Sequence, residues 1–146
     1  MPVTIDAVLN ESIKITTIDE ILDRELFTAM FQPIVSLDTA EIIGYESFTR
    51  GPTNGPFHPF PNLFNEAKKH DLQHRLENLS HRNCLSNFSK LKLPGKIFLN
   101  FTPECLIQSD FFDSNLEQSV REFGLAPSQV IIELTEASAG TKKWQK

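Results

Sequence analysis

Three oxygen-bearing side chains, Glu46, Asn100 and Glu133, lie at or just inside the C-terminal ends of three strand-like runs, Ile42 to Phe48, Lys96 to Phe101 and Val130 to Leu134. A carboxylate within Val-Ile-Ile-Glu-Leu is costly to bury unless it is paired, protonated or bound to a cation, so Glu133 needs a partner. Asn100 offers a neutral carbonyl oxygen and Glu46 a second carboxylate. Together they form an oxygen-rich set suited to hard Mg²⁺ or Mn²⁺. Arg50, at the end of the second strand, can grip a phosphate beside such an ion. The competing explanation is structural: Glu46 or Glu133 pairs with Arg50 or a lysine inside the fold.

The elements that must position these groups follow from periodicity and punctuation. Ile18 to Met30 predicts a short amphipathic helix, with Thr17 as its cap and Glu20 three residues on, as in a capping box. Phe31 to Leu37 predicts a strand whose Pro33 suits an edge or a strand's beginning. Asp38 to Glu41 is a turn and Ile42 to Arg50 a second strand. That connection is too short for a helical crossover, so the pair must be antiparallel. Gly51 to Pro61 holds four prolines and two glycines and predicts a shaped surface loop of the kind that borders binding sites. A helical region runs from Asn62 to about Leu91 with a bend near His70-Asp71, and Leu72, Leu76, Leu79, Leu85 and Phe88 form the stripe expected to lie on the sheet. Pro94-Gly95 stops it before the apolar run Lys96 to Phe101; Leu116 to Phe123 is a further helix, closed by Gly124, ahead of Val130 to Leu134. After the hairpin the order is strand, helix, strand, helix, strand, an α/β arrangement.

Bulk composition bounds the class. At 146 residues, 40% hydrophobic and 23% charged, the chain reads as one globular domain. Its net charge of -5 at pH 7 argues against a protein that tracks DNA or RNA or coats an anionic membrane. Cys84 and Cys105 have no Cys-x-x-Cys spacing and read as small buried thiols in a reducing, cytoplasmic compartment. No stretch approaches the length of a membrane span, and the N-terminus lacks a signal pattern. His70, His74 and His81 fall on one helical face opposite the leucines and read as solvated rather than as a zinc site. Phe57 and Phe60 flank the proline-rich loop as candidate pocket walls.

Four blocks, Gln32-Pro33-Ile34-Val35, Gly44-Tyr45-Glu46-Ser47-Phe48-Thr49-Arg50, Asn100-Phe101-Thr102-Pro103 and Glu133-Leu134-Thr135-Glu136, resemble in order and spacing the successive signatures of the EAL domain family, the phosphodiesterases that linearise cyclic di-GMP. The resemblance implies a modified TIM-type (β/α) barrel with an antiparallel first strand, incomplete in this chain. It implies that Glu46, Asn100 and Glu133 ligate metal, that Gln32 and Arg50 hold the substrate, and that Glu136 steadies a loop over the metals. It further implies a two-metal Mg²⁺ or Mn²⁺ site that hydrolyses cyclic di-GMP to linear pGpG.

Two departures stand beside the resemblance. The name-giving triplet is here Glu46-Ser47-Phe48, which keeps the ligand, and the family's later blocks, including its paired aspartates and catalytic lysine, are absent. The expected organisation is an N-terminal extension over 1–17 with nothing large before the barrel, the N-terminal portion of an EAL domain over 18–136, and an atypical tail over 137–146 that reads as a truncation or frameshift. A barrel needs about 250 residues, so hydrolysis by these residues alone is not expected. The alternative function is a catalytically dead cyclic di-GMP receptor or a protein-interaction regulator. An open sheet of this kind exposes an apolar edge and face, inviting a homodimer or a protein partner.

Overall fold

The computed structural model of the chain describes residues 17–53, 55–107 and 115–135. Thr17 caps the first helix, α1 (Ile18–Asp23), its Oγ1 accepting from the Glu20 amide at 3.2 Å. The helix stops well short of Met30. Glu25 adopts a left-handed conformation (φ 49), the Leu26 amide folds back onto the Ile21 carbonyl at 2.9 Å, and the chain turns into β1 (Thr28–Val35). Thr28 to Met30 pair with Arg50 to Phe48 of β2 (Ile42–Arg50), so cross-strand pairing overrides the helical periodicity of those residues. Leu37, predicted in the strand, instead lies in the turn and is 98% exposed.

The helical region after the loop is two helices, α2 (Phe60–Lys69) and α3 (Gln73–Lys90), separated at Asp71, whose φ of 57 makes the predicted bend a break. β3 (Lys96–Phe101) and β4 (Val130–Leu134) have the predicted limits. Between them lie a five-residue helix, α4 (Pro103–Ile107), that periodicity did not reveal, and α5 (Asn115–Glu122), with a 3-10 turn at Pro127–Gln129.

The strands form one sheet in the order β1-β2-β3-β4, with β1 antiparallel to β2 and the later pairs parallel. This is a mixed α/β fold whose sheet does not close among the described residues. Gly44 lets β3 draw close to β2, since a Cβ there would lie 2.4 Å from the Lys96 carbonyl oxygen. Their ladder covers only Gly44 to Glu46 against Lys96 to Phe98, while both strands run further.

Two apolar clusters hold these elements. The first gathers Ile18, Ile21 and Leu22 of α1 with Leu63 and Phe64 of α2 and Leu76 of α3. The second packs Leu85 and Phe88 of α3 on Ile97, Leu99 and Phe101 of β3. The α3 stripe therefore meets helices at its beginning and the sheet at its end. Among the described residues no helix is long and apolar enough to cross a membrane.

Candidate functional site

Strand register collects the predicted side chains on the sheet face turned away from α3. Gln32 of β1 stands opposite Glu46 of β2, Glu46 opposite Phe98 of β3, and Asn100, two residues beyond Phe98, opposite Glu133 of β4. Side chains of paired residues share a face and those two apart along a strand do too, so Gln32, Glu46, Arg50, Asn100 and Glu133 all project to one side. Because β2 continues to Arg50, Glu46 sits inside its strand rather than at its end. Gln32 is exposed; Glu46, Arg50, Asn100 and Glu133 are half-buried.

Asn100 joins the group. Its Nδ2 donates to Glu46 Oε1 at 3.3 Å and to the Ser47 carbonyl at 3.0 Å. Both partners only accept, so the amide nitrogen must face them, and Oδ1 is left buried with no hydrogen-bond partner. Burial, and secondarily the charge of Glu46, raise the Glu133 carboxyl above its ordinary range. Among the described residues neither Glu46, Glu133 nor Arg50 enters an ion pair. The structural pairing considered for these carboxylates is therefore not formed among the described residues. Two carboxylates and an orphaned amide oxygen form a set of hard donors, the chemistry that Mg²⁺, Mn²⁺ or Ca²⁺ fits. No group of three or more His, Cys, Asp and Glu side chains gathers for a metal among the described residues, and here the third donor is an amide.

A cavity of about 630 Å³ where β2 and β3 part is lined by Glu46, Arg50 and Asn100 from the strands, by Glu77 and His81 from α3, and by His58 and Phe60 as its roof. Gln32 and Glu133 share the sheet face but are not among its described lining. The roof is pinned: the Gly51 amide donates to the His58 carbonyl at 2.9 Å, and His58 Nδ1 lies 3.1 Å from the Gly51 carbonyl. Only glycine fits at 51, where a Cβ would stand 2.0 Å from the Phe57 carbonyl oxygen. Of the two predicted wall residues, Phe60 lines the cavity, whereas Phe57 packs against the α1 and α2 core. Arg50 spends one weak bond, Nη1 to the Thr49 carbonyl at 3.4 Å, which leaves most of its guanidinium free for an anion.

Of the three histidines expected to be solvated, only His70 is exposed. His70 ends α2, exposed beside Glu66, and His74 is half-buried. His81 is buried, stacked on Phe101 with ring centroids 3.8 Å apart, its Nε2 2.8 Å from the Asn100 carbonyl oxygen. Burial lowers its pKa to about 4, so the ring is neutral and Nε2 carries the donated hydrogen. Four residues earlier, Glu77 is also buried and accepts from the Thr102 amide and hydroxyl, each at 2.8 Å. Sequence reading missed both residues. The available signal was that Leu76, Glu77, Ser80, His81, Cys84, Leu85 and Phe88 form one buried stripe, into which two ionisable side chains fall. Cys84 and Cys105 are buried and free, as expected. Glu136 and the tail over 137–146 lie outside the described residues, as do 1–16 of the N-terminal extension.

A family model described as EAL domain matches residues 16–145. Among solved structures, the chain is similar to BlrP1 of Klebsiella pneumoniae in a manganese and cyclic di-GMP complex, at 25% identity and a TM-score of 0.65, over 76% of this chain and 28% of that one. It is similar to a standalone versatile EAL protein from Vibrio cholerae in its cyclic di-GMP-bound form, at 23% identity and a TM-score of 0.61, over 74% of this chain and 44% of that one. It is also similar to the FimX EAL domain of Xanthomonas citri in complex with cyclic di-GMP, at 16% identity and a TM-score of 0.66, over 82% of this chain and 47% of that one. The chain spans less than half the length of each of these structures. No curated protein matches it significantly.

Proposed function

The chain belongs to the EAL domain family, and from that premise we propose that it carries the metal-binding and phosphate-binding portion of a cyclic di-GMP phosphodiesterase site. The observation that carries this reading is the buried, unpartnered Oδ1 of Asn100 beside the carboxylates of Glu46 and Glu133. A divalent cation would satisfy all three groups at once. When bound, such an ion polarises a phosphoryl oxygen and lowers the pKa of a coordinated water.

The chain's own residues divide the remaining work. Glu46, Asn100 and Glu133 hold the ion, Mg²⁺ or Mn²⁺. Arg50, on the same face and without an ion-pair partner among the described residues, grips a phosphate of cyclic di-GMP through charge-assisted hydrogen bonds. Gln32, opposite Glu46, contacts the nucleotide from β1. Glu136 steadies a loop over the metal. His58 and Phe60 wall the cavity on that side and limit the entry of water. The setting proposed is the reducing cytoplasm, in keeping with two buried free thiols.

The reaction proposed for the assembled site is hydrolysis of one phosphodiester bond to give linear pGpG. The described residues lining the cavity include no lysine and no aspartate, which favours a second reading for the 146-residue polypeptide by itself: it binds metal and nucleotide without turning the nucleotide over. The test is cyclic di-GMP binding and turnover by the chain with Mg²⁺ or Mn²⁺, beside Glu46→Ala. Metal-dependent binding without turnover, lost in Glu46→Ala, is expected. Turnover abolished by Glu46→Ala would overturn the binding-only reading, and binding indifferent to metal and to Glu46 would overturn the site.

A further inference from the structure

The backbone that follows the Asn100 side chain is tied to its neighbours at three successive residues. The Asn100 carbonyl accepts from His81 Nε2 at 2.8 Å. The Phe101 carbonyl accepts from the Thr135 amide at 2.8 Å and from its hydroxyl at 3.2 Å. The Thr102 amide donates to Glu77 Oε1 and the Thr102 hydroxyl to Glu77 Oε2. That hydroxyl also accepts from the Cys105 amide at 3.3 Å, at the start of α4. Glu77 and His81 stand one turn apart on α3, so a single helical face grips the strand end on both sides of Phe101.

As stabilising devices these two residues are poor choices. Glu77 is 3% exposed and has no arginine or lysine in ion-pair distance among the described residues. Well-packed apolar side chains often replace a buried charge at no loss of stability. What an apolar pair cannot do is hold the Thr102 amide and the Asn100 carbonyl in fixed places. Those two bonds set the path of the backbone from which the Asn100 side chain springs, with its Nδ2 on Glu46 and its Oδ1 unpartnered.

We propose that Glu77 and His81 are positioning residues that fix the Asn100 amide for the cation, by clamping the end of β3 to α3. The proposal rests on the metal reading given above. Neither residue touches the ion; each acts through Asn100, as outer partners do when they orient a ligand, and losing such a partner typically weakens metal binding about 10- to 100-fold.

The experiment compares the full chain with Glu77→Ala, Glu77→Gln and His81→Phe, with Asn100→Ala as the donor-loss control. His81→Phe keeps the stack on Phe101 and deletes the bond to the Asn100 carbonyl; Glu77→Gln keeps one acceptor for the Thr102 amide and can donate to its hydroxyl. Two quantities are read at a temperature where circular dichroism shows each variant folded: Mn²⁺ affinity by calorimetry, and the side-chain amide resonances of Asn100 in metal-free protein. The expected result is Mn²⁺ binding weaker by about tenfold or more in Glu77→Ala and His81→Phe, displaced or broadened Asn100 amide resonances in both, and recovery of both readouts in Glu77→Gln. Unchanged Asn100 resonances and unchanged affinity, with only a lower melting temperature, would overturn the proposal. Should the wild-type chain bind no Mn²⁺, the metal reading fails, and the Asn100 resonances still decide whether the clamp positions that side chain. Should Glu77→Ala not fold, Thr102→Val, which deletes one of the two bonds and keeps the shape, takes its place under the same criteria.

Discussion

The two faces of the sheet are built by the same strands to opposite ends. Toward α3, β3 places Ile97, Leu99 and Phe101, none more than 1% exposed, against Leu85 and Phe88. On the other face the alternate residues of the same strand and its neighbours are Glu46, Asn100 and Glu133, half-buried and mutually close, with Asn100 Oδ1 lacking a hydrogen-bond partner. Burying two carboxylates and an orphaned amide oxygen is unfavourable, so the covered face must supply the stability that the open face withholds. Polar groups occur on both faces. Toward α3 the Glu77 carboxylate and His81 Nε2 are hydrogen-bonded, whereas Ser80 Oγ there, like Asn100 Oδ1 on the open face, has no partner.

The largest expected effect tests the covered face. Leu99→Ala removes a fully buried side chain from the middle of β3 and should cost about 2–5 kcal/mol, read by urea unfolding. A loss under about 1 kcal/mol would mean that the second cluster does not carry the fold. The acid side of the stability curve comes next. Burial depresses His81 from 6.5 to about 4. A group whose folded pKa lies below its unfolded value contributes stability that is complete above 6.5 and is lost as pH falls from there toward 4. The span is worth about 3 kcal/mol. Glu77 and Glu133, both raised chiefly by burial, work in the opposite sense, since their folded forms hold a proton more tightly and regain stability as pH falls. The wild-type profile is therefore a sum, and the difference between wild type and His81→Phe isolates the imidazole. That difference should be flat above 6.5 and should slope below it; a flat difference throughout would mean that the ring is not held neutral.

How much of this was legible in the sequence depends on the range of the interaction that decides each feature. β3 and β4 were readable to the residue because each is a contiguous apolar run bounded by Pro94-Gly95 or by the Gly124 turn, signals that act within a few residues. The antiparallel start followed from the short connection alone, and the grouping of Glu46, Asn100 and Glu133 from their places near the ends of three strand-like runs, whereas their shared face needed the strand register. Thr28 to Met30 were misread because their helical spacing is local and their pairing with β2 is not. α4, at five residues, is too short to show a period. Glu77 and His81 escaped for the same reason as Thr28: their bonds to Thr102 and to the Asn100 carbonyl span 25 and 19 residues.

Glu133→Gln probes the open face directly and should separate stability from binding. Removing its charge relieves the burial penalty and the repulsion with Glu46, so resistance to urea at neutral pH should rise slightly. Mn²⁺ affinity should fall by about 100-fold or more, at or beyond the upper end of what the loss of an outer partner costs. In the wild type the same raised pKa makes Mn²⁺ binding weaken as pH falls, because the protonated carboxyl is no ligand. A variant that loses stability and binding together would show that Glu133 is a structural carboxylate, and the division between the faces would then be wrong at β4.

β4 also sets the limit of the comparison on its other side. Ile132 and Leu134 are opposite Leu99 and Phe101 in register and so project toward the helix side, yet they are 39% and 64% exposed. What buries Leu99 is therefore α3 rather than its place in the sheet, and α3 does not extend across β4. Leu134→Ser should change stability by no more than about 0.5 kcal/mol, the smallest effect predicted here and the sharpest contrast with Leu99→Ala at the same sheet face. It should also improve solubility at high protein concentration, since exposed leucine and isoleucine side by side favour association. A cost comparable to that of Leu99→Ala would mean that Leu134 is covered in solution, by another copy or another segment, and light scattering of the wild-type chain would distinguish the two through its mass.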